Sequence, residues 1–472
     1  MIGRRAFLGT AAAAGALSAA AKARRKRPNV VMFMTDDHGA WTLGCYGCAQ
    51  MRTPNIDALA RGGARFERAF ACTPVCSPSR LTWITGQLPA AHTVQDWLVP
   101  EDSFGPNSHA WLDGHLTYSE ILAKQGYTLG MCGKWHMGHD DQAQRGFSYW
   151  ATVPGGGGPY QDVEFVKNGE RVKTTGFKTD RVGDFAIEFL DQRRGKEDPF
   201  YLLVPFYAPH TPYDFQPEEY REPYNNSDLS CFPRGAAAHP WANRGLRGHL
   251  NKRASMQAYS ALIGGVDANV GRIVRKLEEM GVRDDTLVIF TADQGWNAGQ
   301  HGFWGKGNGT WPFNMYEESI RVPLIWNHPR RIAPGGTPRQ MVSSYDYFPT
   351  LLDYLGIPAP PRDQRRVGRS YAPILHGRQI RWDNRLYFEY SFVRGVRTEN
   401  LKLVQRTAEW PSELYDLEAD PNEARNLYDD PAYQKQRAAL QADLNRFFVR
   451  SGAAPLESWH RDVRQNLTKY SN

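Results

Sequence analysis

Four short runs in this chain are apolar at nearly every position: residues 29–34 (NVVMFM), 200–207 (FYLLVPFY), 286–291 (TLVIFT) and 322–326 (VPLIW). A strand with one wet face alternates apolar and polar side chains. A strand that is apolar throughout is buried on both faces, as in a largely parallel sheet between two layers of helices. Residues 127–132 read as a further strand. Helical segments lie between these runs, at 55–61, 180–193, 256–280 and 345–355. The clearest is 256–280, where Leu262, Val266, Val270, Ile273, Val274 and Leu277 form one stripe. Alternating strands and helices specify an α/β fold: a large, mainly parallel or mixed sheet flanked by helices on both faces. The texture changes after Gly377. Residues 386–390 and 401–405 read as short antiparallel strands and 431–449 as a helix. Residues 378–472 are therefore expected to form a small C-terminal α+β subdomain beside a main domain at 24–377.

Residues 1–23 read as an address rather than as part of the fold. Arg4-Arg5 precedes an apolar run at 6–17, and Ala21-Lys22-Ala23 offers a small-x-small cleavage site. The pattern is that of a signal peptide, too short to span a bilayer, and Arg4-Arg5-Ala6-Phe7-Leu8 resembles a twin-arginine signal. The expectation is a periplasmic or secreted protein, handled by export machinery that carries folded chains, with no stable membrane span after signal removal. The net charge of +7 belongs to the same end. Residues 1–27 hold seven of the 57 bases and no acid, which leaves 50 bases against 50 acids. A neutral body gives no electrostatic basis for binding nucleic acid. Among six cysteines, Cys45-Tyr-Gly-Cys48 has no second C-x-x-C to complete a zinc site, and reads as small buried thiols or a local disulfide. Gly155 to Gly158 lack the following Lys-Ser/Thr of a phosphate-binding loop and read as a flexible loop.

The chemistry gathers after the strands, where open α/β sheets bind ligands. Asp36-Asp37 ends the first strand and Asp293-Gln294-Gly295 ends a later one. Three carboxylates and an amide oxygen suit a hard divalent cation, Ca²⁺ or Mg²⁺, better than zinc. Lys134-Trp135-His136 and Ala208-Pro209-His210 follow two more strands, and Gly305-Lys306-Gly307 lies beyond the second acidic cluster. The sharpest segment is Cys76-Ser77-Pro78-Ser79-Arg80. Ser77 suits an N-cap and Pro78 the first turn of a helix, placing Cys76 just ahead of a helix N-terminus. There the backbone N–H groups and Arg80 favour an anion and an ionised thiol.

These segments together resemble the type I, formylglycine-dependent sulfatases of the alkaline phosphatase superfamily. Thr53-Pro-Asn-Ile-Asp57, Thr85-Gly86, Arg397-Thr-Glu-Asn-Leu-Lys402 and Leu414-Tyr-Asp-Leu417 extend the match, which spans about residues 28 to 430. The resemblance implies that a separate maturation enzyme oxidises Cys76 to formylglycine. Its hydrated aldehyde would attack the sulfur of a sulfate ester with one hydroxyl, and the other would then release sulfate. Asp36, Asp37, Asp293, Gln294 and residue 76 would hold Ca²⁺ or Mg²⁺. Arg80 would orient residue 76, and Lys134 and Lys306 would clamp the sulfate. His136 would be the base that triggers release, and His210, aided by Lys306, would assist the leaving oxygen. The family more often has Asn where this chain has Gln294, which keeps the amide oxygen on a side chain one methylene longer. A cytoplasmic maturation enzyme could act on Cys76 before export of the folded product.

The implied activity is hydrolysis of a sulfate ester to alcohol and inorganic sulfate. A phosphodiester or phosphonate monoester hydrolase of the same superfamily is the alternative within the fold, and an unmodified glycan-binding paralogue the alternative outside catalysis. Trp41, Trp97, Trp111, Trp296, Trp304 and Trp311 lie near the catalytic segments. They read either as platforms for a sulfated carbohydrate or as packing.

Overall fold

The computed structural model describes residues 27–361 and 363–459, so the export signal expected at 1–23 lies outside the described residues. The chain opens with β1 (Asn29–Thr35), α1 (Pro54–Arg61), β2 (Ala64–Phe66), α2 (Cys76–Thr85) and α3 (Tyr118–Lys124). It continues through β3 (Thr128–Gly133), β4 (Phe147–Thr152), β5 (Glu164–Lys167), β6 (Glu170–Lys173), α4 (Lys178–Gln192) and β7 (Phe200–Pro205). The long helix α5 (Arg253–Glu279) leads to β8 (Thr286–Ala292), β9 (Leu324–Asn327) and α6 (Ser344–Tyr354). The nine strands form one mixed sheet in the order β2-β9-β8-β1-β7-β3-β4-β5-β6. The centre, β8-β1-β7-β3-β4, is parallel, and the strands outside it are antiparallel.

Burial on both faces explains the unbroken apolar runs. Along β1, Val31 and Phe33 enter a core shared with Ile56 of α1, Ala186 of α4 and Val266 of α5. Val30, Met32 and Met34 enter the opposite core, with Leu81 of α2, Leu122 of α3 and Leu351 of α6. Strands β7 and β8 divide their side chains in the same way.

The register aligns the carboxyl ends of the central strands. Thr35 pairs with Ala292, Met34 with Pro205, and Met131 of β3 with Leu203 of β7. Residues 36, 134, 206 and 293 therefore leave the sheet along one edge. The run at 200–207 stops as a strand at Pro205, and its last residues begin the loop that carries His210.

A second sheet follows Gly377: β10 (Leu386–Tyr390), β11 (Val393–Arg397), β12 (Leu401–Arg406) and β13 (Glu413–Asp416), an antiparallel meander covered by α7 (Gln434–Arg450). The two segments read as strands here, 386–390 and 401–405, are not direct partners, because β11 lies between them. This unit does not own its core. Phe388, Val396, Leu403 and Phe448 pack with Phe70, Val75, Leu88 and Phe313 of the main domain.

Cys48 is bonded to Cys231 rather than to a neighbour, and Cys45 is a free thiol. Of the two readings of C-x-x-C, small buried thiols or a local disulfide, neither holds for the pair: Cys45 is a partly buried free thiol and Cys48 forms a long-range bond. It ties the loop after β1 to the connection between β7 and α5, beside the Trp41–Phe232 ring contact at 5.2 Å.

Candidate active site

Helix α2 supplies the centre of the site. Its first turn closes with Ser79 N–H donating to the Val75 carbonyl, so Val75 is the N-cap and Cys76 is the first helical residue. Ser77 is not the cap. Its hydroxyl accepts instead from Leu98 N–H at 3.1 Å. Cys76 and Arg80, four residues apart, share one face of the helix. Arg80 gathers three strand ends. Nε and Nη2 reach Asp293 Oδ2 at 2.8 and 2.7 Å, Nη1 donates to the Lys134 carbonyl at 2.6 Å, and Nη2 lies 3.6 Å from Asp36 Oδ2.

Successive side chains of an extended strand point to opposite faces. Asp37 breaks that alternation with a left-handed φ of 62°. Both Asp36 and Asp37 can then face Gln294, whose Nε2 donates to their Oδ1 atoms at 2.9 and 2.7 Å. Cys76 Sγ lies 3.3 Å from Asp36 Oδ1, and Lys306 Nζ lies 2.8 Å from Cys76 Sγ and 2.5 Å from Asp37 Oδ1. Lys134 Nζ is 2.5 Å from Asp36 Oδ2, and His210 Nε2 is 3.5 Å from Asp37 Oδ2.

The residues singled out in sequence therefore converge, in two layers. Asp37, Cys76, Lys134, His136, His210 and Lys306 line a cavity of about 360 Å³. Asp36, Arg80, Asp293 and Gln294 lie buried beneath it.

The electrostatics are those of a dense charge cluster. Burial alone would lift Asp36, but Lys134, His210, Lys306 and Arg80 outweigh it and hold the carboxyl well below its usual range. Burial dominates at Asp37 and Asp293 and raises both, despite Lys306 and Arg80 respectively. Burial and Asp36 push the Cys76 thiol up. Lys134, Lys306 and a hydrogen bond with His210 outweigh them and bring it to about 6. His210 is raised, because Asp37 and Asp36 outweigh its burial. His136 goes the other way: burial and Lys134 keep it neutral. Its Nε2 lies 2.8 Å from the Leu98 carbonyl, which accepts only from a protonated nitrogen. Nδ1 is thus the lone-pair nitrogen, buried and without a partner. Ser77 anchors Leu98, so the motif helix sets the His136 tautomer through one backbone unit.

The donor set fits a hard divalent cation. The protein's own cations leave Asp37 and Asp293 strained toward protonation, a deficit of positive charge. Gln294 Oε1 is buried beside these carboxylates with no partner. Carboxylate oxygens of Asp36 and Asp37, the Cys76 sulfur and a His210 nitrogen all lie within 4.8 Å of one another. Asp293 does not join that group. Arg80 holds its Oδ2, and its Oδ1 accepts from Gln294 N–H at 2.9 Å.

Several residues of the site were not legible in sequence. The glycine run is no free loop. Gly155, Gly156 and Gly157 line the cavity, and Gly156, at φ 67°, packs so closely that a Cβ there would meet His136 Cδ2 at 2.4 Å. Asp140 Oδ2 accepts from Gly155 N–H at 3.0 Å, and Lys178 Nζ donates to the carbonyls of Gly157 and Gly158 at 3.2 and 2.9 Å. Lys178 also sits 4.0 Å over the ring of Tyr207, and burial, with Lys134, lowers it to about 7. Of the six tryptophans near the motifs, only Trp97 and Trp296 line the cavity. Trp296 and Trp304 are buried. Trp41 and Trp111 donate their indole N–H groups to the carbonyls of Trp296 and Asp102, and Trp311 packs on Phe313 and Phe392. Packing accounts for most of them.

A nucleophile at a helix start, carboxylates behind it and cations around it, at the carboxyl edge of a mixed α/β sheet, define a hydrolase of anionic esters. The chain belongs to the sulfatase family of the alkaline phosphatase superfamily, whose model matches residues 28–357, and it is a sulfuric ester hydrolase. A second model, described as N-sulphoglucosamine sulphohydrolase, C-terminal, matches residues 299–449. The chain is 29% identical to an N-acetylglucosamine-6-O-sulfatase of Bacteroides thetaiotaomicron, over 89% of this chain and 86% of that one. It is similar to a solved structure in complex with its substrate D-glucosamine-2-N,6-O-disulfate, with TM-score 0.77 and 26% identity over 90% of this chain and 98% of the other. A phosphonate monoester hydrolase of Agrobacterium radiobacter shares the fold, with TM-score 0.71 and 24% identity over 90% and 96% of the two chains.

Proposed function

We propose that this sulfatase hydrolyses a sulfate ester of a carbohydrate, with residue 76 acting as formylglycine. One water enters, and the sugar alcohol and inorganic sulfate leave. The observation that carries the reading is the position of residue 76, where the cations, the carboxylates and His210 meet at the floor of the cavity. The names of the glucosamine-sulfate relatives support the carbohydrate class.

Hydrated formylglycine supplies an oxygen nucleophile and a second hydroxyl through which sulfate is released. Asp36, Asp37 and, once its amide turns to present Oε1 in place of Nε2, Gln294 would hold a Ca²⁺ or Mg²⁺, and Asp293, tied to Arg80, would join them by giving up its contact with Gln294 N–H. When bound, that ion draws negative charge from the sulfate and favours the deprotonated nucleophile. Lys134 and Lys306 bind the sulfate oxygens. His210, whose pKa Asp37 and Asp36 raise against its burial, donates to the departing sugar oxygen. His136, with Nδ1 free, accepts the proton whose loss releases sulfate. We also propose twin-arginine export after maturation in the cytoplasm, on the strength of Arg4-Arg5 ahead of the apolar run.

The test is protein produced with a formylglycine-forming maturation enzyme and assayed on an aryl sulfate. The peptide ending at Arg80 is expected to show loss of sulfur and gain of oxygen at residue 76. Cys76→Ala is expected to lower sulfate release by at least about 1,000-fold. Chelation is expected to abolish turnover and Ca²⁺ or Mg²⁺ to restore it. Equal rates from Cys76→Ala and the mature protein would overturn the mechanism, and glycan binding without turnover would favour the non-catalytic paralogue.

A further inference from the structure

Beyond the sulfate-binding floor, the walls of the cavity are neutral. Among the described residues that line it, the acidic and basic side chains are Asp37, Lys134, His210 and Lys306 and the neutral His136, and all five belong to the cluster already described. The remaining wall is formed by Trp97, Leu98, Leu246, Thr211, Asn243 and Asn308, with the glycine loop opposite. Arg244, next to Asn243, is exposed and does not line the cavity.

The two lysines on the floor are already paired with Asp36 and Asp37, and they face the sulfate that is cleaved. A second anionic group on the same sugar ring would be desolvated against indole, leucine and amide groups. Burying a charge without a partner is costly, whereas a hydroxyl or acetamido group needs only a neutral partner. One is at hand. The Asn243 amide is consumed locally, accepting from Gly245 N–H at 2.9 Å and donating to the Asn308 carbonyl at 3.3 Å. Asn308 also lines the cavity, and its side chain makes no hydrogen bond among the described residues, which leaves an amide donor and acceptor available there.

Resting on the proposed function, we infer that the ring bound in this cavity carries a single anionic group, the sulfate to be removed, on an otherwise neutral sugar. Asn308 reads a neutral hydroxyl or acylamino substituent of that ring. Further anionic groups of a longer substrate lie on neighbouring rings outside the cavity, toward Arg244.

Two sugars that differ only in the substituent on N2, a neutral acetyl or an anionic sulfonate, test this: N-acetylglucosamine-6-O-sulfate and glucosamine-2-N,6-O-disulfate. Each is assayed for 6-O-sulfate release and as a competitor of an aryl sulfate. The mature protein is expected to favour the monosulfate by about 100-fold or more in kcat/KM, and in competition. Asn308→Lys is expected to shift the ratio of the two sugars toward the disulfate by at least about tenfold. A general loss of activity cancels in that ratio. Equal or better use of the disulfate by the unaltered protein, with the aryl sulfate cleaved, would overturn the inference alone. No sulfate release from any of the three compounds by formylglycine-bearing protein would overturn the sulfatase mechanism on which it rests.

Discussion

Arg80 does what no other cation in the site could do from its position. One guanidinium binds the Asp293 carboxylate through two nitrogens and the Lys134 carbonyl through the third, so a single planar group fixes the ends of β8 and β3 relative to α2. A lysine keeps the charge but not the fork. Arg80→Lys is therefore expected to leave a folded protein whose kcat/KM on an aryl sulfate falls by at least about tenfold. Steady-state rates and a thermal melt check it, and an unchanged kcat/KM would show that charge alone suffices. At this scale the candidate residues were legible, because Asp36, Lys134, His210 and Asp293 follow strands that the chain marks plainly and Pro78 marks the helix that carries Cys76 and Arg80. Their second partners were not. Ser77 has the residue type of an N-cap, and only the tertiary placement of Leu98 draws its hydroxyl away. Nor does the spelling of Gln294 say that its carbonyl oxygen would be the buried, unpaired end.

Elements show the same division. Strands β1, β3, β7 and β8 and the long helices end within a few residues of where the apolar patterns place them, because those patterns record burial on two faces or on one stripe; the central strand β4 was not read. The β5–β6 hairpin at the sheet edge was missed. Its strands are charged and half wet, and its one clear signal is Asn168-Gly169, a dipeptide that takes left-handed φ at both positions, 50° and 91°. The glycine loop was misjudged for a related reason: composition reports what glycine permits, not what packs against it. Here Asp140 and Lys178 hold the loop from both ends and press Gly156 onto the His136 ring. Gly156→Ala adds a Cβ where there is no room and at a φ that disfavours one. The expected result is a fall in kcat of about 10- to 100-fold as His136 is displaced, with KM changed less. A rate within twofold of the parent protein would show that the ring tolerates the shift.

For the whole molecule, the Cys48–Cys231 bond closes a span of 183 residues. It pins a connection that contributes His210, Thr211, Asn243 and Leu246 to the cavity yet has only short helical turns of its own. Cys231→Ser is expected to lower the unfolding free energy by about 2–5 kcal/mol. Guanidinium titration with and without a reductant checks it: reduction should bring the parent protein down to the variant. If reductant does not move the parent, the bond contributes nothing to stability. The position of β1 carries a different consequence, one of time. Among the described residues it is the first strand made, and it ends in the middle of the sheet. Its partner Tyr201, opposite Val30, is made 171 residues later, and Thr286, opposite Asn29, 257 residues later. At ~5–20 residues per second, NVVMFM waits on the order of 10–50 s for its last neighbour. Throughout that wait a two-sided apolar strand is open to the wrong partners, and a cell making this chain must shield it. Over the same interval helix α2 lacks the Asp293 end that later holds Ser79 and Arg80, so the segment around residue 76 has fewer partners while the chain is being made than after it.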